Sequence, residues 1–82
     1  MVTLLYKEAV SKRIYELCTM YNYTPNKLAE LSAIAPSTLQ DMLLCKVENP
    51  SSYIIYKICK TLKISLDSFY KCELFNFDNI KD

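Results

Sequence analysis

The stretch TPNKLAELSAIAPSTL, residues 24–39, carries the strongest structural signal in the sequence. Pro25 and Pro36 both suit the first turn of a helix, where the missing N–H of proline costs nothing. Leu28 and Ala29 follow one turn after Pro25, as expected for the buried face of a short helix. The stretch therefore predicts two short helices joined by a tight turn.

Apolar residues at spacings of three and four extend this helical pattern in both directions along the chain. The predicted core positions are, in chain order, Val10, Ile14, Leu17, Cys18 and Tyr21; Leu28, Ala29 and Leu31; Leu39, Met42 and Leu43; Ile54, Ile55, Ile58, Cys59 and Leu62; Leu66, Phe69 and Tyr70. Residues that accept hydrogen bonds from the first turn precede four of the five helices, namely Thr3, Thr24, Ser51 and Ser65. No stretch requires a strand, although residues 74–77 can form an extended tail, so the fold class is all-α, a compact five-helix bundle.

The length and composition limit the chain to one domain over residues 1–82. Apolar residues make up 51% and charged residues 23% of the 82 residues, which is typical of a globular protein. No apolar run approaches the ~18 residues needed to span a membrane, and the first residues lack a signal-peptide pattern. We therefore expect a cytoplasmic protein.

The cysteines and the missing histidines argue against metal, disulfide and catalytic chemistry. Cys18, Cys45, Cys59 and Cys72 are widely spaced and form no Cys-x-x-Cys pair, so we expect no metal and no cofactor. Cys18 and Cys59 fit core positions, whereas a redox role for Cys45 at a helix end is an alternative. With no histidine, no glycine-rich phosphate loop and no paired carboxylate motif, we expect no enzyme activity.

The order of these helices, with their tight breaks, resembles the phage-repressor/Cro helix-turn-helix family over residues 10–72. Residues 24–39 match its Leu-Ala, turn and Ser-Thr-aliphatic pattern, and residues 49–51 and 64–69 are similar to two further signatures of the family. The resemblance implies a helix-turn-helix in which the third helix enters the DNA major groove. It also implies that glycines common at helix ends in the family are replaced here by Asn22, Ala33, Cys45 and Lys63.

The resemblance implies a double-stranded DNA partner and a set of contact residues on two helices and one loop. These are Thr24, Asn26, Lys27, Pro36, Ser37, Thr38, Gln40, Asp41, Lys46 and Asn49. The second helix would offer its N-terminal N–H groups to a phosphate, Pro36 would touch DNA through its ring, and the loop residues would contact phosphates. Lys12 and Arg13 would steer the approach.

Gln40 and Asp41 each have two interpretations. Gln40 can bond adenine in a bidentate manner, or it can complete a capping box with Ser37. Asp41 can accept a hydrogen bond from a cytosine amino group, or it can be a solvated residue that points away from the groove. Lys57, Lys60 and Lys63 fit a solvated helix face better than a DNA surface.

The net charge of +1 predicts few phosphate contacts per copy, so useful affinity would require a homodimer on symmetric half-sites. The apolar residues beyond the family-like core, in the tail at residues 73–82, either fold back on the first or fifth helix or form the dimer interface; we favour the interface slightly. The leading hypothesis is a sequence-specific transcriptional repressor. The alternative is a protein-interaction module, such as an antitoxin that binds a partner protein, which the acidic Asp41 and Glu48 keep open.

Overall fold

The computed structural model describes residues 3–82 and contains five α-helices in this range. They are α1 (Tyr6–Tyr21), α2 (Pro25–Leu31), α3 (Pro36–Leu43), α4 (Ser52–Leu62) and α5 (Leu66–Tyr70). Two 3₁₀ turns, Glu73–Phe75 and Phe77–Asn79, follow α5. The predicted all-α five-helix class is confirmed.

Side chains cap three of the helices as the sequence predicts. The Thr24 hydroxyl accepts from the Lys27 N–H at the start of α2, and Ser51 and Ser65 act likewise for α4 and α5. The prediction for Thr3 is wrong, because α1 begins only at Tyr6. Its first turn is held instead by Glu8, whose carboxylate accepts from the Leu5 N–H at 2.8 Å.

One apolar core joins all five helices. Phe69 of α5 is fully buried, as are Ile14 of α1, Leu28 of α2, and Ile55 and Ile58 of α4. The predicted core residues Cys18 and Cys59 are also buried. Burial raises the pKa of both thiols, so they stay protonated and behave as small apolar side chains.

Three predicted core positions are exposed. Tyr21 and Leu31 are the last residues of α1 and α2, and Leu66 is the first residue of α5, so all three lie where a helix meets a turn. The exposure of a terminal helix residue therefore follows the adjoining turn rather than the periodicity of the helix.

Within residues 3–82, four residues adopt the left-handed conformation that usually favours glycine. Asn22, Ala33, Cys45 and Lys63 have φ between 55° and 60°. These are the four positions at which the family resemblance implies replaced glycines. Each backbone reversal lets the next helix fold back on the core, at a cost of roughly 1 kcal/mol for a residue with a Cβ atom.

The tail folds back on the start of the chain. Leu74, Phe75 and Phe77 lie in the two 3₁₀ turns and only Asn76 between them is extended, so the extended tail expected over residues 74–77 is wrong. Leu4 and Ile80 form a parallel bridge, and the Leu4 N–H donates to the Asn79 carbonyl at 2.7 Å. Phe75 packs against Tyr6 and Tyr70, with 4.8 Å between the ring centroids of Phe75 and Tyr70. The tail thus covers α1 and α5, although Phe77 remains 95% exposed.

Candidate nucleic-acid interface

The buried face of α3 determines which of its side chains reach the surface. Leu39, Met42 and Leu43 anchor the helix in the core. The remaining positions project outward, and the predicted contact residues among them are all exposed, namely Pro36, Ser37, Thr38, Gln40 and Asp41. A short helix with a polar outer face therefore lies on the surface of the bundle.

The start of α2 and the outer side of α3 enclose a groove of about 330 Å³. It brings together four of the predicted residues, Thr24, Asn26, Pro36 and Gln40. Because residues four apart share a helix face, Pro36 and Gln40 line the same side of α3. Gln40 thus lies on the α2 side of the helix.

Asp41 lies on the neighbouring side of α3, one turn after Ser37. It is exposed, and it belongs to none of the three ion pairs formed among residues 3–82. Its carboxylate is therefore free to accept a hydrogen bond from a partner.

The capping-box interpretation of Ser37 and Gln40 is wrong. The N-cap of α3 is Ala35, two residues before Ser37, and no side chain caps this end of the helix. Pro36 takes the first helical position and shifts the start of the helix upstream of Ser37. The Gln40 amide is consequently not occupied by the end of its own helix.

The start of α2 combines a satisfied cap with a free proton donor. The Thr24 oxygen accepts from the Lys27 N–H at 3.1 Å, which leaves the hydroxyl hydrogen available to a partner. Asn26 lines the groove beside it. Lys27, in contrast, is outside the groove lining and pairs with Glu30 at 3.0 Å on the exposed face of α2.

Lys46 and Asn49 lie in the loop between α3 and α4, beyond the other end of α3, and both are exposed. The loop is held to α3 by the Lys46 N–H, which donates to the Asp41 carbonyl at 2.9 Å. It is held to α1 by an ion pair of 2.6 Å between Lys7 and Glu48, which raises the pKa of Lys7. Pairing with Lys7 also partly neutralises Glu48 beside the surface of α3.

The predicted steering role of Arg13 is wrong. Its side chain is buried, and the guanidinium donates to the Phe69 carbonyl at 2.7 Å and the Ser68 carbonyl at 2.8 Å and pairs with Glu16. It joins α1 to the end of α5. Lys12, one residue earlier, is exposed but lines a groove beside the tail at Cys72 and Glu73.

The structure adds two residues that the sequence analysis does not select. Tyr15 of α1 and Leu44, at the end of α3, line the groove between α2 and α3 and are 48% and 53% exposed. Tyr15 falls outside the apolar stripe of α1, so helical spacing shows its exposure but not the groove beside it. The sequence does not indicate that Leu44 is exposed, because its spacing also fits a buried position.

Other kinds of site are not evident in the part of the chain that the structure describes. No three His, Cys, Asp or Glu side chains come together there in a way that could hold a metal ion. None of the helices in residues 3–82 is both long and apolar enough to cross a membrane.

A helix-turn-helix with an exposed, polar second helix defines a class of DNA-binding domain, and comparison with known proteins agrees. The family model of the Cro/C1-type HTH DNA-binding domain matches residues 13–74. The chain therefore belongs to the Cro/C1-type family, which favours a DNA-binding regulator over the protein-interaction module.

A solved structure supports the same assignment. The crystal structure of the prophage Lp1 protein 11 is similar to this chain, with a TM-score of 0.79 and 34% sequence identity. The similarity covers 93% of this chain and 97% of the other. No curated protein matches significantly.

Proposed function

We propose that this protein is a transcriptional repressor that reads a specific DNA sequence in the major groove with the outer face of α3. A major groove about 12 Å wide admits one α-helix, and α3, the second helix of the helix-turn-helix, has an exposed polar face. A domain bound over a promoter would block polymerase without any chemistry of its own. It would act in the cytoplasm, where bacterial promoters are transcribed.

The observation that carries this proposal is that Gln40 is exposed and its side-chain amide takes no part in capping α3. A glutamine amide offers one acceptor and two donors, which fit the N6 and N7 edge of adenine. Asp41 would accept from a cytosine amino group, and Ser37 and Thr38 would bond base edges or nearby phosphates. The ring of Pro36 would make an apolar contact.

Polar groups at both ends of α3 would hold the helix on the sugar–phosphate backbone. The free hydroxyl hydrogen of Thr24 and the amide of Asn26 would contact one strand beside the groove. Lys46 and Asn49 would contact the other strand from the loop after α3. Lys27, already paired with Glu30, would add a weaker attraction.

Two copies would bind together as a homodimer. Lys27 and Lys46 are the only cations among the proposed contact residues, and Asp41 opposes them, so one copy has few charges to attract phosphates. Two copies on symmetric half-sites, about 34 Å apart along the duplex, would double the number of contacts.

The test is selection of a binding site from random duplexes, followed by affinity measurements on that site and on variants with one base pair changed. In Gln40→Ala, discrimination at one base pair should fall by about 1–3 kcal/mol while the other positions are read normally. Asn76→Ala, which removes an exposed side-chain amide from the tail, is the matched control and should bind like the wild type.

The outcome separates sequence recognition from general attraction to DNA. A selected site whose base preference relaxes in Gln40→Ala supports recognition through α3. Failure to select any site, or equal effects of Gln40→Ala and Asn76→Ala, would refute it.

A further inference from the structure

A basic and aromatic patch on α4 lies outside the surface proposed to read bases. Tyr53 and Tyr56 are 61% and 47% exposed, and their rings stack with 6.3 Å between centroids. With Lys57 and Lys60 they border a groove of about 350 Å³ that reaches the turn between α2 and α3. These four residues are called the α4 patch below.

The α4 patch carries positive charge that its own helix does not balance. α4 spans Ser52–Leu62 and contains two lysines and no acidic residue. The acidic residue of the facing helix, Glu30, is paired with Lys27. An exposed surface with two ammonium groups and two phenol hydroxyls is complementary to a row of phosphates.

The α4 patch is also placed close to the proposed recognition helix. The Lys57 ammonium donates to the Ala33 carbonyl at 3.1 Å, in the turn that leads into α3. Ala33 is three residues before Pro36, so the first residue of α3 lies within about 11 Å of Ala33 along the chain. The sugar–phosphate backbone of a DNA strand that leaves the surface of α3 on this side would therefore run towards α4.

The internal contacts of the patch leave its polar groups available. Lys57 lies 4.8 Å from the centre of the Tyr53 ring, which orients the ring, while its ammonium has two further donors. Lys60 is exposed and forms none of the ion pairs among residues 3–82.

We propose that the α4 patch binds the sugar–phosphate backbone of DNA beyond the base pairs read by α3. Lys60 and Lys57 would neutralise phosphates, and the hydroxyls of Tyr53 and Tyr56 would donate to phosphate oxygens. This inference rests on the proposed DNA-binding function and extends the DNA footprint from the base-reading helix to flanking backbone of any sequence.

The experiment measures the salt dependence of binding for Lys60→Ala on random duplex and, where one is selected, on the specific site. Loss of one phosphate contact lowers the slope of log affinity against log salt by about 0.9. The ratio of the wild-type affinity to the variant affinity should then shrink about 3.5-fold between about 50 and about 200 mM salt. The loss of affinity in Lys60→Ala should be equal on all DNA sequences.

Lys81→Ala is the matched control, because Lys81 is an exposed lysine in the tail, outside both the α4 patch and the proposed contact residues. Its change of charge equals that of Lys60→Ala, so a difference between the two variants reports the position of the lysine. Tyr56→Phe removes one hydroxyl and keeps the ring, and it should weaken binding equally on every sequence. Thermal unfolding of each variant confirms that the fold is retained.

The two proposals fail in different ways. One outcome is that no specific site is selected but Lys60→Ala still lowers the salt slope on random duplex. In that case the proposal that α3 reads bases is wrong, and the proposal that the α4 patch binds the DNA backbone is supported. If a site is selected and Lys60→Ala behaves like Lys81→Ala, the patch does not contact DNA. A Lys60 effect confined to single base pairs would also overturn the proposal, since backbone contacts carry no base preference.

Discussion

The helix-turn-helix and the end of the molecule formed by α1, α5 and the tail share one core but use their polar groups differently. At the α1–α5 end, polar groups are bonded to one another: Arg13 donates to two carbonyls of α5, and the Tyr6 and Tyr70 hydroxyls lie 2.9 Å apart. On α3, polar side chains are exposed and none caps the helix. One end is held by internal bonds, whereas the polar side chains of α3 are exposed and do not cap their own helix.

This difference shows why charge alone is a poor guide to a binding surface in a small domain. Arg13 is the only arginine of the chain, and arginine is often selected for DNA contact, yet here it is buried. On α3, the side chains with free bonding capacity are uncharged or acidic, such as Gln40 and Asp41. We therefore place the proposed DNA-binding surface where the fold does not use the polar groups.

The largest effect is expected from removing internal hydrogen bonds at the end of the molecule formed by α1, α5 and the tail, called the bonded end below. Arg13→Ala removes the guanidinium and leaves the Phe69 and Ser68 carbonyls without their donor, so the free energy of unfolding should fall by about 3 kcal/mol. Urea denaturation measures this loss. Lys12→Ala, next to it in sequence but exposed, should change stability by no more than about 0.5 kcal/mol. Similar losses in both variants would contradict the structural role of Arg13.

A smaller effect of opposite sign is expected in the helix-turn-helix. Ala33 has φ 55°, and replacement by glycine relieves the Cβ contact, so Ala33→Gly should raise the free energy of unfolding by up to about 1 kcal/mol. The greater freedom of glycine in the unfolded chain offsets part of this gain. Ala35→Gly is the control, because Ala35 has φ −58° and gains nothing. A destabilised Ala33→Gly would show that the turn is not strained.

The smallest effect concerns alkaline pH at the bonded end. Burial, and then the hydrogen bond to Tyr6, raises the pKa of Tyr70 above the ordinary value of 10. Because the folded state holds this proton more tightly, its contribution to stability is complete below about pH 10 and is lost as the pH rises further. The stability of Tyr70→Phe should therefore fall less steeply above pH 10 than that of the wild type. Denaturation between about pH 8 and 11 tests this, with the exposed Tyr53→Phe as the control.

The fold was predictable because local signals agree along the chain. Pro25 and Pro36 mark two helix starts, Thr24, Ser51 and Ser65 cap three helices, and the apolar spacing selects most of the core. The predictions that fail concern positions near the ends of elements. At Tyr21, Leu31 and Leu66 the adjoining turn decides burial, and periodicity does not describe that turn.

The candidate site was predictable in part. Spacing alone indicates which side of α3 faces outward, and the structure brings Thr24, Asn26, Pro36 and Gln40 into one groove. The role of Arg13 depends on carbonyls more than 50 residues away in sequence, which no local pattern reports. The addition of Tyr15 to the groove likewise depends on how α1 crosses α2 and α3.

The left-handed residues at four helix ends also bear on the lifetime of the protein. Each such residue with a Cβ atom lowers the free energy of unfolding by about 1 kcal/mol relative to glycine, and Asn22 tolerates the conformation best. In a domain of this size, a few kcal/mol is a large share of the total stability. A larger unfolded fraction gives proteases more substrate, so the chain should be cleared quickly once its synthesis stops.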